Sequence, residues 1–431
     1  TLSIAQFLGD APPVPPTMED VLPGAVFADL RHVSLDSARL SAHPLLESFG
    51  GAFVGTEIDA VSTMPKLKHL RVVWSRAERA GTADAGSALA AALPGTKDEM
   101  ETLDVVNGFQ LVDSFLRCAS CDGGKALSLR CLRINIRENS QRERCVLSCE
   151  AGRTPLPAVM DICLTRVVVD GWLFDKLHAL RKLVLCDVTV DPESQPGAVW
   201  GSLLSAASLE ELHVIDCGTL PGMFEEQDPN FYGSYDEDPS DAVPSLQRVV
   251  VHNSRTVLAS EDTWQFLWRL PALTELDVDF DATVARAAVF ALIACADPRA
   301  ARNLKTLRLT NPRVAQLAPP TGERYAVVFA AATALRELRL GDCRGLDGGC
   351  LAAIPRPELL QTLEWGPGGV DSEQLARAIS RFRHLRQLRI AEHAVANIVL
   401  PHVTSYCQLL RTVAVSHGDF GTSARWVRPT P

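Results

Sequence analysis

The chain has 431 residues, of which 47% are hydrophobic and 22% are charged, values typical of a folded protein and inconsistent with wholesale disorder. Its formal net charge of −10 argues against a nucleic-acid binder, since such proteins usually carry a clear basic excess. No apolar run approaches the roughly 18 residues needed to span a bilayer.

One block of the form apolar-x-x-apolar-x-apolar recurs along most of the chain and predicts the fold. The first copy begins at Leu30, and the last four begin at a strict spacing of 25 residues. The mean period of about 29 residues lies close to that of short solenoid repeats. One interval is irregular, and there a frame beginning at Val159 is preferred to one at Leu164. The fourteen copies begin at Leu30, Leu67, Met100, Leu129, Leu164, Leu180, Leu209, Leu246, Leu273, Leu304, Leu335, Leu360, Leu385 and Leu410.

Each block predicts a short strand whose alternate apolar side chains point into a core. Several segments between the blocks have helical spacing instead. We expect helices over 261–267, which opens with two acidic residues, over 282–296, which is rich in alanine, and over 371–379, where Asp371 is an N-cap candidate. A strand and a helix repeated at this period predict parallel neighbouring strands, stacked into one continuous core.

The pattern resembles the leucine-rich repeat family, in the ribonuclease-inhibitor-like class, with no specific protein identified. Cys217 and Cys343 occupy the position where this family has a ladder of Asn or Cys, and the repeat at Leu335 resembles the cysteine-containing repeats of F-box adaptors. The resemblance implies an α/β solenoid with parallel strands on the concave face and helices on the convex face. We expect an N-terminal extension over 1–29, a solenoid of about 13–14 repeats over 30–420 with insertions near 135–160 and 221–244, and a C-terminal tail over 421–431.

The resemblance also implies that the residues between the core positions of each strand line the concave face. The partner-binding candidates there are Arg133, His213, Asp277, Arg308, Arg339 and Arg389. One interpretation is an Arg-lined patch for an acidic protein partner. The alternative is internal neutralisation, because Asp277 and Arg308 fall on adjacent strands about 4.8 Å apart. A nucleic-acid backbone is disfavoured because the column lacks aromatic stacking residues.

The insertion between Pro221 and Pro244 is the most distinctive segment, with seven acidic residues and no Lys or Arg. We expect it to act as a docking strap for a basic partner, with aromatic anchors and acidic steering, and a solvated acidic loop is the alternative. Its spacing does not match a calcium loop. The candidate residues are Phe224, Phe231, Tyr232, Tyr235, Asp236, Glu237 and Asp238.

A second unusual region is rich in cysteine. Cys118, Cys121, Cys145 and Cys149 have a spacing compatible with a four-thiolate zinc site. The preferred interpretation is that the region holds no metal, because the nearby Cys131 and Cys163 fall in or beside core strands, where Cys serves as a small apolar residue.

No catalytic motif is visible, and neither a phosphate-binding loop nor a nucleophile elbow is present. The sequence therefore predicts a non-enzymatic scaffold without a cofactor, a subunit of a larger assembly that binds one or more proteins. The alternatives are a ubiquitin-ligase substrate receptor, although no F-box is visible, and a structural subunit of a ribonucleoprotein or organellar complex. Scattered cysteines and the absence of an Asn-x-Ser/Thr acceptor favour an intracellular location, in the cytoplasm or an organelle.

Overall fold

In the computed structural model, the chain divides into two compact units, Thr1–Leu209 (unit 1) and Glu210–Pro431 (unit 2). The structure describes residues 2–4, 32–39, 45–53, 64, 66–74, 100–107, 129–136, 146–147, 158–170, 173–174, 177–191, 198–203, 206–223, 243–280, 292, 301–310, 321–341, 346, 348–366, 371–391, 393–416 and 423–427.

Unit 1 is built on a parallel sheet. Its elements are β1 Leu2–Ile4, β2 His32–Arg39, β3 Ser48–Phe53, β4 His69–Trp74, β5 Thr102–Val106, β6 Cys131–Asn135, β7 Val146–Leu147, β8 Asp161–Thr165, β9 Val168–Val169, β10 Lys182–Cys186, β11 Thr189–Val190 and helix α1 Ala198–Leu203. Strands β2 to β6, then β8 and β10, pair in that order, all parallel, and β1 pairs with β2. A second, smaller parallel sheet joins β7, β9 and β11.

Unit 2 also contains consecutive parallel strands, with five helices among its described residues. Its strands are β12 Glu211–Ile215, β13 Arg248–His252, β14 Glu275–Asp279, β15 Thr306–Thr310, β16 Glu337–Gly341, β17 Thr362–Trp365, β18 Gln387–Ile390, β19 Thr412–Ser416 and β20 Ser423–Val427. Its helices are α2 Arg255–Ala259, α3 Glu261–Arg269, α4 Thr321–Ala331, α5 Ser372–Ile379 and α6 His393–Tyr406, with 3-10 turns at Ala301–Asn303, Gly348–Ala353 and Pro357–Leu359. Strands β12 to β19 pair consecutively and in parallel, and β20 is antiparallel to β19.

The apolar positions of the repeated block form the core. In β14, β15 and β16 the second and fourth residues are buried and the alternate residues are partly exposed. This period of two is that of a strand with one face on a core and one face toward solvent. The predicted α/β fold of parallel strands and helices is confirmed, with the leucines of each repeat stacked on those of the next.

The structure adds three details to the sequence prediction. Strand β3 lies between the blocks at Leu30 and Leu67, where no copy was predicted. Phe49 in this strand and Leu46 just before it are buried. In the irregular interval, β8 follows the preferred frame beginning at Val159, which places Cys163 beside Arg133 in the sheet. Residues 2–4 and 423–427, in the expected extension and tail, form strands.

A left-handed residue follows five of the strands. Asn107, Arg166, Asp187, Asp216 and Asn253 have φ between 50° and 61°. Four of the five are Asn or Asp, the side chains that tolerate this conformation best after glycine. The backbone N–H of Asp216 donates to the carbonyl of His252, and that of Asn253 donates to Asp279, so the bend occurs without losing the hydrogen bond to the next strand.

The helices agree with their sequence signals where the structure describes them. Helix α5 begins after Asp371, whose carboxylate accepts from the backbone N–H groups of Glu373 at 3.0 Å and Gln374 at 3.3 Å, as expected of an N-cap. Helix α3 buries Trp264, whose indole donates to the carbonyl of Leu258 at 2.9 Å. The helix predicted over 282–296 lies outside the described residues except Leu292, which is helical and buried.

Candidate functional site

The side chains that point away from the core in unit 2 define what we call the polar face. The strand register places its central residues in one row, which the repeat alignment predicts: His213, Val250, Asp277, Arg308, Arg339, Glu364, Arg389 and Ala414. The residues two positions earlier form a second row, which includes Glu211, Arg248, Glu275 and Glu337. Most of these side chains are polar and partly exposed, so this face of the sheet is charged and accessible.

Arg308 is the centre of an ion-pair network on the polar face. Its Nε and Nη2 donate to Oε1 of Glu337 at 3.1 and 2.9 Å, and its Nη1 lies 3.5 Å from Oδ2 of Asp277. Nη1 is also 3.7 Å from Oε1 of Glu275, which in turn contacts Arg248 at 3.5 Å. Asp277 and Arg308 therefore neutralise each other, as one of the two interpretations of the sequence expected. The charge of Arg308 is largely compensated by carboxylates.

The other predicted residues of unit 2 also have acidic neighbours. Nε of Arg339 lies 2.7 Å from Oε1 of Glu337, and Nη1 of Arg389 lies 3.2 Å from Oε1 of Glu364. The His213 ring is 3.5 Å from a carboxylate oxygen of Glu211. Arg389 and Arg339 remain 54% and 41% exposed, against 28% for Arg308, so among the candidate arginines of unit 2 they are the ones that a partner reaches most easily.

His252 and the predicted site residue Asp277 form a hydrogen-bonded pair. Nε2 of His252 lies 3.1 Å from Oδ1 of Asp277. This hydrogen bond, opposed in part by burial, raises the pKa of His252 above its ordinary value. Burial works to raise the pKa of Asp277, but the hydrogen bond and charge of His252, together with Arg308, outweigh it and lower that pKa. The pair is thus stabilised in its charged form.

The substitution His252→Gln is expected to change how stability depends on pH. Because the pKa of His252 is raised on folding, its contribution is complete below the ordinary value of about 6.5 and is lost as the pH rises through the raised value. Because the pKa of Asp277 is lowered, its contribution is present above its ordinary value of about 3.9 and is lost as the pH falls through the lowered value.

The unfolding free energy of the wild type should therefore exceed that of H252Q most between about pH 4 and 6.5, and the gap should shrink above this window. Urea titrations at about pH 5.5 and 8.5 measure it. The control is H402Q, at an exposed position of α6, which should leave the unfolding free energy nearly unchanged at both pH values. A gap that widens toward high pH would contradict the pairing.

The corresponding face of unit 1 contains Arg133. The register places Arg133 between Asp104 and Cys163, and Asp104 also lies 3.6 Å from Nε of Arg71. Cys131 and Cys163 belong to core strands, as expected, but Cys163 lies in the row of Arg133 rather than among the core leucines. Burial raises the pKa of both thiols, although Arg133 opposes the effect. They therefore stay protonated and poorly nucleophilic at neutral pH.

The start of the acidic insertion is anchored on α3. Met223 is buried, and its backbone N–H donates to Oγ1 of the buried Thr263 at 2.7 Å. The hydroxyl of Thr256 contacts the carbonyl of Leu220 close by. The description stops at Met223 and resumes at Val243, so the candidates Phe224, Phe231, Tyr232, Tyr235, Asp236, Glu237 and Asp238 lie outside the described residues.

The cysteines singled out by the sequence lie partly within the described residues and partly outside them. Cys217, at the ladder position implied by the family resemblance, is buried; its backbone N–H donates to Oγ of Ser254 at 3.1 Å. Cys343 and the zinc candidates Cys118, Cys121, Cys145 and Cys149 lie outside the described residues. Within the ranges given above, no three His, Cys, Asp or Glu side chains are grouped as a metal site requires. In the same part of the chain, no helix is both long and apolar enough to cross a membrane.

Comparison with known proteins gives structural likenesses only. No family model matches the chain, and no curated protein matches its sequence. A leucine-rich repeat protein of Leptospira interrogans is 11% identical, with 89% of this chain and 85% of that chain covered and a TM-score of 0.35. The yeast complex of Rad7 and Elc1 gives 12% identity, 84% and 77% coverage and a TM-score of 0.34. The repeated block and the strand register within each unit give this chain the leucine-rich repeat fold.

Proposed function

We propose that this chain is a non-enzymatic scaffold that binds one or more proteins as a subunit of a larger assembly. The observation that carries the proposal is the polar face of unit 2, where charged side chains on the seven consecutive parallel strands β12 to β18 are held by ion pairs yet stay partly exposed. A rigid sheet presenting fixed charges suits partner recognition, because its geometry is set before binding and charge complementarity selects the partner.

The binding residues proposed on the sheets are Arg133, His213, Asp277, Arg308, Arg339 and Arg389. Arg339 and Arg389 are the primary contacts, because they keep the most exposed charge of the unit 2 candidates. Asp277 and Arg308 act mainly by holding the surface in shape, since each contacts two or more opposite charges. The expectation that follows is that changes at Arg339 and Arg389 affect partner binding more than folding.

The acidic insertion is proposed as a second contact, with a basic partner surface. Met223, at the start of this insertion, is held next to α3 by the hydrogen bond from its backbone N–H to Thr263. The proposed anchors are Phe224, Phe231, Tyr232 and Tyr235, and Asp236, Glu237 and Asp238 supply the charge. Acidic side chains would speed encounter with a basic partner, and the aromatics would supply buried area once it is bound.

The proposed location is intracellular. Among the described residues, Cys131, Cys163 and Cys407 are free thiols. Free thiols are typical of proteins kept in a reducing compartment.

The proposal is tested by affinity purification of the tagged full chain from native extract, followed by crosslinking mass spectrometry. We expect a stable partner whose crosslinks map to the polar face of unit 2. The double variant R339E/R389E should reduce its recovery about tenfold, equivalent to about 1.4 kcal/mol of binding free energy. A variant with the seven insertion acids changed to Asn or Gln should lower recovery and its sensitivity to salt.

The control is R255E/R377E, which makes the same charge change at exposed positions of α2 and α5. It should leave recovery unchanged. Isolation of the chain as a lone monomer, or equal losses in R339E/R389E and R255E/R377E, would refute binding through the polar face.

A further inference from the structure

Four exposed cations form a second surface in unit 2, separate from the polar face, which we name the basic row. Lys305, Arg336, Arg386 and Arg411 each stand directly before a strand, at the starts of β15, β16, β18 and β19. Gln361 occupies the same position before β17. Backbone hydrogen bonds of 2.7–2.8 Å run from Arg336 to Lys305, from Gln361 to Arg336, from Arg386 to Gln361 and from Arg411 to Arg386. The five residues are therefore neighbours along one edge of the sheet.

The charges of the basic row are not compensated. Among the described residues, no carboxylate lies within ion-pair distance of any of its four cations, and all four side chains are exposed. The arginines of the polar face, three positions further along the same strands, contact Glu337 and Glu364. Like charges at successive positions repel one another. An anion from outside would relieve this repulsion, so the row has the electrostatics of a binding surface.

Further exposed side chains, both basic and apolar, lie close to the basic row in the sequence. Arg302 and Arg383 are exposed in the turns that lead into β15 and β18. At the other end, the turn before β19 carries Leu409, which is 48% exposed and stands two residues from Arg411, and α6 ends at Tyr406, which is 58% exposed. Large exposed apolar side chains beside a charged strip are typical of protein contact sites.

We infer that the basic row binds an extended acidic segment of a protein partner, with an apolar residue of that segment placed against Leu409 and Tyr406. Four strand spacings of about 4.8 Å separate Lys305 from Arg411, so the row is about 19 Å long. An extended peptide rises about 3.3 Å per residue, and about six residues would span it. Carboxylates on such a segment would meet the guanidinium groups in charge-assisted hydrogen bonds.

A protein segment suits this surface better than single-stranded RNA. Single-stranded nucleic acids are held by a basic groove together with aromatic side chains on which the bases stack. The four cations of the basic row have no aromatic residue among them, and the one aromatic side chain assigned to this surface, Tyr406, offers no series of rings on which successive bases could stack. The chain as a whole has a net charge of −10, which repels a long polyanion beyond the row itself. The inference rests on the proposed role in protein binding but uses a different surface.

Fluorescence anisotropy with the full chain tests the inference. The probe is a labelled peptide of about twelve residues, alternating Glu and Asp and ending in two Leu residues. We expect saturable binding that weakens with added salt. R336E/R386E should raise the dissociation constant at least about tenfold, and R336Q/R386Q should raise it by a smaller factor because it removes charge without adding repulsion. L409S should weaken the binding of this peptide but should not change the binding of a peptide that lacks the two Leu residues.

The matched control R255E/R377E changes the net charge by the same amount elsewhere on unit 2 and should leave the dissociation constant within about twofold. Circular dichroism melting checks that each variant is folded. Equal weakening in R336E/R386E and R255E/R377E would show a general charge effect and overturn the inference. Tighter binding of a single-stranded RNA, lost in R336E/R386E, would assign the row to nucleic acid instead.

The two proposals fail separately. If R339E/R389E lowers partner recovery while R336E/R386E leaves peptide binding unchanged, the scaffold function holds and the basic row has no role in it. If the peptide binds through the row but no partner is recovered from extract, the polar-face proposal is wrong.

Discussion

The substitution Trp264→Ala is expected to lower the free energy of unfolding by about 3–5 kcal/mol, the range for removing a large buried aromatic side chain. Trp264 lies in α3, fully buried, and its ring stacks on that of Phe280 with centroids 6.2 Å apart. Its indole N–H also donates to the carbonyl of Leu258 in α2. The variant would lose the packing of α3 on the sheet and leave that buried carbonyl without its donor. Urea unfolding followed by circular dichroism measures the change.

A second substitution at the same position separates packing from hydrogen bonding. Trp264→Phe keeps an aromatic ring near Phe280 but has no N–H for Leu258, so its cost should be intermediate, about 1–3 kcal/mol. Equal stability of W264F and the wild type would show that the bond to Leu258 contributes nothing. A loss below about 1 kcal/mol in W264A would mean that α3 does not depend on this side chain.

The substitution Gly348→Ala is expected to destabilise the chain by about 1–3 kcal/mol despite adding a single methyl group. Gly348 is buried at the start of a 3-10 turn, and a Cβ there would lie 2.8 Å from both Cα and N of Leu375 in α5. Those atoms belong to backbone and cannot rotate away. Relief would require α5 to move from its place against the turn.

The matched control is Gly218→Ala, where a Cβ would meet nothing within 4 Å. Gly341→Ala is an intermediate case, because its Cβ would lie 3.3 Å from the side chain of Thr310. The melting temperature should fall in the order G218A, G341A and G348A, with G218A close to the wild type. A similar loss in all three would show that the backbone freedom of glycine, rather than close approach to α5, is responsible.

The strand positions of this fold are readable in the sequence because each strand buries alternate leucines against the next repeat. Strand β3 escaped prediction for a physical reason: Gly50 and Gly51 occupy its centre, and glycine is a poor strand former. The left-handed Asn and Asp residues that follow four strands also mark the ends of those strands in the sequence, a signal weaker than the leucine pattern. The boundary between the two units, by contrast, could not be predicted, because the same repeated block occurs in both.

The sequence predicts where the candidate site residues lie in the sheet, but it does not predict which ion pairs they form. The period of the block places Asp277, Arg308 and Arg339 side by side, and the register agrees. Glu337 as the shared partner of two arginines depends on side-chain rotamers that a repeat pattern does not specify. The basic row was visible as a Lys or Arg directly after the first leucine of four blocks, at Lys305, Arg336, Arg386 and Arg411. The alternation of buried and exposed residues within a strand marks the central column as the outward face, and it gives no signal for the residue that precedes the strand.

The consecutive pairing of β12 to β19 has a consequence for how unit 2 folds. Every strand in this series bonds to the one before and the one after, so the contacts of its sheet join residues one repeat apart in the chain. Loop closure over one repeat costs little entropy compared with closure across a whole domain. Folding can therefore nucleate at any pair of adjacent repeats and spread outward, with partly formed stacks as intermediates.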